Sequence, residues 1–210
     1  MNEKIIISLG GSLVVPDKID INFLKEFKTL ISSEAEKGKE FFIITGGGKI
    51  CRRYQEAAKE LCAPTDSELD MIGIRALNLN AELVRVLFKN IPGVNVYGAD
   101  RPGSSTDLGA VILARVNEAK IIINLSNTDY VYDSDPKINP NAKKIEKISW
   151  AEYRKLIPKE WHPGLNSPFD PIASEMAQKE GTSVVIMNGK PIDNLRNFLN
   201  RDKFTGTIIS

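Results

Sequence analysis

FFIITGGGKICRRY, Phe41 to Tyr54, runs four apolar residues and a threonine into three glycines, then a lysine and two arginines. The apolar run does not alternate with polar residues, as expected of a strand buried on both faces of a parallel sheet. The glycines mark a turn, and the periodic stretch from Lys49 to Leu61 predicts a helix. This strand, turn and helix set the pattern for the rest of the chain.

The same kind of buried run recurs in KIIISL (4–9), EFFIIT (40–45), AKIIINL (119–125) and TSVVIM (182–187). Helical periods fall between them, at Asn22–Lys37, Lys49–Leu61, Asp70–Lys89, Asp107–Asn117 and Pro171–Glu180. A short amphipathic helix over 193–200 precedes a closing strand, GTIIS. Alternating strands and helices predict an α/β fold, a three-layer αβα sandwich with a mostly parallel central sheet and right-handed crossovers. The segment 128–149, rich in Asp, Pro and Asn, reads as an excursion within one domain, with room for a small hairpin. The single domain, 1–210, has a weak boundary near residue 120. An N-terminal lobe of about 1–118 and a C-terminal lobe of about 119–210 would share the sheet.

Composition narrows the partners. Lysine and arginine total 28 against 27 aspartates and glutamates, so no strong field favours nucleic acid or an anionic membrane. The N-terminal apolar run is too short for a signal peptide, and no stretch reaches transmembrane length. Cys51 and Cys62 form neither a disulfide framework nor a metal-ligand pattern. A cytoplasmic protein with no membrane partner and no protein-bound metal is expected.

Ligands in open α/β sheets bind beyond the carboxyl ends of the strands, where helix N-termini present free N–H groups. Two glycine loops, SLGGSLV (8–14) and TGGGKIC (45–51), occupy that position. Glycine lets backbone approach a phosphate closely, and successive N–H groups can cradle an anion. Lys49, Arg52 and Arg53 add charge. Taken singly, each loop reads more simply as a turn, and the P-loop spacing is absent because Lys49 is followed by Ile50. A third loop, ADRPGSSTDLGA (99–110), offers Arg101 and the hydroxyls of Ser104, Ser105 and Thr106 to an anion; helix capping explains those hydroxyls equally well.

Seven segments taken together, LGGSLV (9–14), TGGGKICRRY (45–54), DMIGIRALNLNAEL (70–83), RPGSSTDLGAV (101–111), LSNTDYVYDSDP (125–136), FDPIASEMA (169–177) and GTII (206–209), resemble the amino acid kinase superfamily. Within it the chain is most similar to archaeal-type uridylate kinases. The resemblance implies transfer of the ATP γ-phosphoryl group to UMP, with Mg²⁺ bridged by the nucleotide phosphates, in a homo-oligomer (dimer or hexamer). It implies ATP contacts at Gly10, Gly11, Gly48, Arg52, Ser126, Asn127, Tyr132 and Asp135. UMP contacts are implied at Gly47, Asp70 and Asp100, Arg101, Pro102, Gly103, Ser104, Ser105 and Thr106. Asp107 matches the aspartate that organises cationic groups around the transferring phosphate, and Asp170 an acidic residue capping a helix that faces the site.

The chain departs from that pattern in four places. Ser8 stands where many superfamily members carry a lysine, which makes Lys49 and Arg52 the candidate catalytic cations. Tyr130 occupies a usual glycine position, predicting either a strained left-handed residue or a ring packed on the adenine or on a neighbouring subunit. RPGSST replaces an HPGHTT-like run, and only KNIPGVNVY (89–97) stands where an extra strand and helix are usual. Another small phosphate or carboxylate acceptor, or nucleotide binding without turnover, are the alternatives these departures leave open.

Overall fold

The structure is a computed structural model that describes residues 3–100, 102–103, 105–136, 138–160, 165 and 167–210. The predicted buried runs form β1 (Lys4–Leu9), β2 (Glu40–Thr45), β4 (Ile121–Ser126) and β8 (Ser183–Asn188). With β3 (Val94–Tyr97), β7 (Lys147–Ile148) and β9 (Thr207–Ile209) they make one sheet in the order β3-β2-β1-β4-β8-β9-β7. The first five strands are mutually parallel, and β9 turns the direction by pairing antiparallel with β8. A second sheet of two short strands, β5 (Val131–Tyr132) and β6 (Lys144–Ile145), is the small hairpin of the 128–149 excursion.

Side chains alternate between two cores because successive strand residues point to opposite faces. Ile5, Ile7 and Leu9 face one core with Phe41, Ile43, Ile123, Leu125, Val185 and Met187. Over it lie α1 (Gly11–Val14), α2 (Ile21–Glu36), the end of α4 (Asp66–Phe88) and α8 (Ile192–Leu199). Ile6, Phe42, Ile44, Ile122, Val184 and Ile186 face the other core, beneath α5 (Thr106–Val116), α6 (Trp150–Leu156) and α7 (Pro171–Glu180). The expected three-layer αβα sandwich is what forms.

Local chemistry sets the helix ends. Phe23, Leu24, Phe27, Leu30, Ile31 and Glu34 repeat at three- and four-residue spacing along α2, and the Asp20 carboxylate accepts the Phe23 N–H at 3.0 Å. Thr65 with Glu68, and Ser149 with Glu152, form capping boxes at the starts of α4 and α6. Pro171 opens α7 and left-handed Gly181 closes it.

The segment 89–97 holds a strand that the sequence alone does not declare. Val94–Tyr97 pairs in register with Phe41–Ile44 and extends the sheet as its edge strand. Four half-buried residues after a Pro-Gly turn give too little period to declare a strand, so pairing decides the matter.

Candidate functional site

The carboxyl ends of β1, β2 and β4 are neighbours, and the loops leaving them meet. The Gly10 N–H donates to the Leu125 carbonyl at 2.8 Å, and the Gly46 N–H donates to the Leu9 carbonyl at 2.9 Å. A Cβ on Gly11 would lie 2.3 Å from the Gly46 oxygen and 2.4 Å from the Gly48 nitrogen, so neither loop has space for a side chain there. Gly48 is excluded from substitution a second way, by its left-handed φ of 64°. The Asn80 amide on α4 donates to the Gly46 carbonyl at 2.9 Å and fastens that helix to the same turn. Two glycine loops that looked like separate turns in the sequence are one interlocked backbone platform.

α3 (Gly48–Leu61) leaves the platform with Lys49 and Arg52 exposed on its first turns. Lys49 Nζ lies 3.4 Å from an Asp17 carboxylate oxygen, and Arg53 reaches the same oxygen at 2.9 Å. Asp17 carried no signal of this in the sequence. Gly47 packs against Cys51, whose thiol is pushed up in pKa mainly by burial, with Arg52 opposing and Asp70 assisting. A helix-start cysteine of this kind stays a thiol at neutral pH. Asp70, near the start of α4, accepts the Gly103 N–H at 2.8 Å, joining α4 to the third loop.

The third loop runs into α5. Asp100, Pro102 and Gly103 are exposed, Thr106 is half-buried, and Arg101 and Ser104 lie outside the described residues. Ser105 caps α5 by accepting the Leu108 N–H at 3.0 Å, and its hydroxyl also donates to Asp170. Asp170 caps α7 through Ala173 and offers its own backbone N–H to Asp107 at 3.1 Å. Asp107 and Asp170, 63 positions apart, are thereby brought into contact.

Asp107 keeps some accessible surface as a residue, yet its carboxyl is enclosed by protein. Burial, with the neighbouring Asp170 charge, pushes its pKa from 3.8 up to about 7, against donation from the Asp170 N–H and the Ser8 hydroxyl. Asn124 on β4 adds an amide contact at 3.3 Å. Behind the pair, the Tyr153 hydroxyl donates to the Phe169 carbonyl and accepts the Phe169 N–H, both at 2.8 Å, which fixes the turn that carries Asp170.

On the β4 side, Gly189 donates to the Ser126 carbonyl at 3.0 Å, and Asn188 donates to Asp129 at 2.9 Å. Asn127 and Asp135 are exposed, and Tyr132 is half-buried in β5. Tyr130 is not left-handed: Glu118 and Arg201 are the non-glycine residues with positive φ among those described. Its ring meets Tyr132 edge-on at 6.4 Å, with the Lys144 ammonium 4.9 Å from its centroid.

Glycine turns converge with a buried acid pair at the carboxyl edge of a parallel sheet, the edge where open α/β sheets take their ligands. Known proteins narrow the class. The amino acid kinase family profile matches residues 63–188. The uridylate kinase of Thermoplasma acidophilum is 33% identical across 100% of this chain and 97% of its own length. That of Pyrococcus abyssi is 31% identical across 98% and 99%. The crystal structure of uridylate kinase from Archaeoglobus fulgidus has a TM-score of 0.81 at 30% identity, covering 99% of this chain and 100% of that one. The UMP kinase of Bacillus anthracis, with a TM-score of 0.83 at 20% identity over 99% and 96%, shares the fold. The chain belongs to the amino acid kinase family.

Proposed function

We propose that the protein transfers the γ-phosphoryl group of ATP to the phosphate of UMP, giving ADP and UDP. The observation that carries this reading is the side-chain-free platform made by Gly10, Gly11, Gly46 and Gly48 beside the Asp107 and Asp170 pair. Similarity to uridylate kinases over the whole chain supplies the two substrates.

Phosphoryl transfer needs two phosphates held in line and their charge neutralised, with little covalent work for the protein. In this reading the ATP phosphates lie along Gly10, Gly11, Gly48 and Arg52, and its nucleoside meets Ser126, Asn127, Tyr132 and Asp135. UMP takes Gly47, Asp70 and the loop 100–106, including Arg101 and Ser104. The nucleoside of the donor thus sits on the 119–210 lobe, with its phosphates reaching over to the 1–118 lobe that takes the acceptor. Mg²⁺ held by the nucleotide phosphates supplies part of the neutralisation. A backbone lined by glycine suits such a ligand, because a phosphate with its ion needs closer approach than a Cβ permits.

Lys49 and Arg52 are the cations assigned to the transferring oxygens, with Lys49 exchanging Asp17 for phosphate. Asp107 and Asp170 position the surrounding groups; neither has to remove a proton, since the acceptor oxygen is already anionic. The working form is a homo-oligomer, dimer or hexamer, in the cytoplasm.

Purified protein with ATP, Mg²⁺ and a panel of nucleoside monophosphates and small acids, followed by ADP release, tests the reading. Rapid release with UMP alone supports it. Release with a different acceptor only, or nucleotide binding with no turnover on any, overturns it.

A further inference from the structure

We infer that Asn124 is a positioning residue for Asp107: its side-chain amide spans Asp107 and the Pro168 carbonyl and favours the anionic form of the Asp107 carboxyl. The inference rests on the phosphotransfer reading for its kinetic readout alone.

Asn124 interrupts an otherwise apolar strand, IIINLS, and is 6% exposed. A buried amide is costly unless its donors are used. Both are: the Asn124 nitrogen lies 3.1 Å from the Pro168 carbonyl and 3.3 Å from an Asp107 carboxylate oxygen. The Pro168 oxygen can only accept, which fixes the end of the amide that faces it. The nitrogen, and so a donor, is thereby turned toward Asp107.

Three groups converge on this carboxyl. The Asn124 amide meets one oxygen, the Asp170 backbone N–H meets the other at 3.1 Å, and the Ser8 hydroxyl joins from the strand beside β4. The amide nitrogen and the backbone N–H can only donate. A carboxylate accepts from both with its full charge, whereas a protonated carboxyl is the weaker acceptor and needs an acceptor for its own hydrogen. The network therefore fits the anion, while burial and the Asp170 charge oppose it.

Asp170 is the acid whose charge bears on this carboxyl. β1 contributes Ser8, β4 contributes Asn124, the turn into α7 contributes Asp170, and α6 contributes Tyr153. The acidic residue of β2, Glu40, lies at the opposite end of its strand. Where many superfamily members have a lysine, Ser8 gives a donor without a charge, so the neutral donors carry the task of favouring the anion. Asn124 also ties β4 to the residue two before Asp170, which makes one amide the link between both acids.

The test is a carbon-13 carboxyl titration of Asp107 in the folded protein, assigned with Asp107→Asn, beside kcat as a function of pH for ATP and UMP. Removing one donor from the anion in Asn124→Leu should move the Asp107 midpoint up by about one pH unit. The acid limb of kcat should move with it, an approximately tenfold loss below neutrality, with KM for both nucleotides little changed. Asn124→Thr, which keeps a donor and suits a strand, should restore the midpoint and the limb. If Asn124→Leu does not fold, Asn124→Val carries the same expectation. A folded apolar variant with an unmoved midpoint overturns the inference, as does a moved midpoint with an unmoved kcat limb in an active enzyme. Should wild type fail to turn over UMP, the functional reading falls and the titration alone still decides whether Asn124 sets the charge of Asp107.

Discussion

Replacing Asp107 by asparagine should change how stability depends on pH, and the sign follows from the direction of its pKa shift. An aspartate whose pKa rises on folding, here from 3.8 to about 7, binds its proton more tightly in the folded protein. Between those values the unfolded chain has released the proton while the folded one keeps it. Stability is therefore fully present below about pH 4 and is lost as pH rises toward 7. At 1.36 kcal/mol per pH unit, the ceiling on the loss is about 4 kcal/mol. An asparagine side chain cannot titrate, so this loss disappears in the variant. Its amide nitrogen, however, faces the donor of either Asn124 or Asp170, a fixed penalty of about 1–3 kcal/mol at every pH. The variant should be the less stable protein at pH 4.5 and the more stable one at pH 8. Urea unfolding of both proteins at pH 4.5, 6 and 8 measures the difference directly. A stability difference that stays constant across that range would refute the account of Asp107 as a buried acid titrating near neutrality.

Gly11→Ala should be the most damaging single change at the platform, because its methyl would sit 2.3 Å from the Gly46 oxygen; a loss of about 2–3 kcal/mol or failure to fold is expected, read by thermal unfolding. Tyr153→Phe removes both bonds to Phe169 and should cost about 1–3 kcal/mol, with a fall in kcat as the Asp170 turn loosens. Lys49→Ala and Arg52→Ala should each leave a folded enzyme slowed by about 10²–10³-fold; wild-type turnover in either would remove that residue from the mechanism. Asp17→Asn frees Lys49 from its exposed ion pair, and because such pairs are weak stability should stay within about 0.5 kcal/mol in urea unfolding while KM for ATP falls.

The large elements were legible because burial on both faces writes continuous apolar runs, and KIIISL and EFFIIT end where β1 and β2 end. The third loop showed its capping chemistry too, since Ser105 stands at the N-cap of α5. What escaped depends on partners far away in sequence. Val94–Tyr97 is a strand only because β2 lies beside it. Ser105 and Asp170 meet across 65 positions, and Asn124 reaches Pro168 across 44. One local signal lies in the strand itself: an asparagine inside IIINLS has to find partners or suffer a desolvation penalty. Another was Ser149 with Glu152 three residues later, which marks the start of α6.

The sheet order has a consequence for synthesis of the chain. β1 pairs on one side with β2, which ends at Thr45, and on the other with β4, which is complete only at Ser126. While the intervening chain is being made, one edge of β1 presents unpaired backbone between apolar side chains. At 5–20 residues per second the delay is roughly 4–16 s, long beside the microseconds in which helices form. The nascent N-terminal half is therefore an open-edged sheet awaiting its neighbour, a stage at which an unpaired strand edge is exposed to association with other chains.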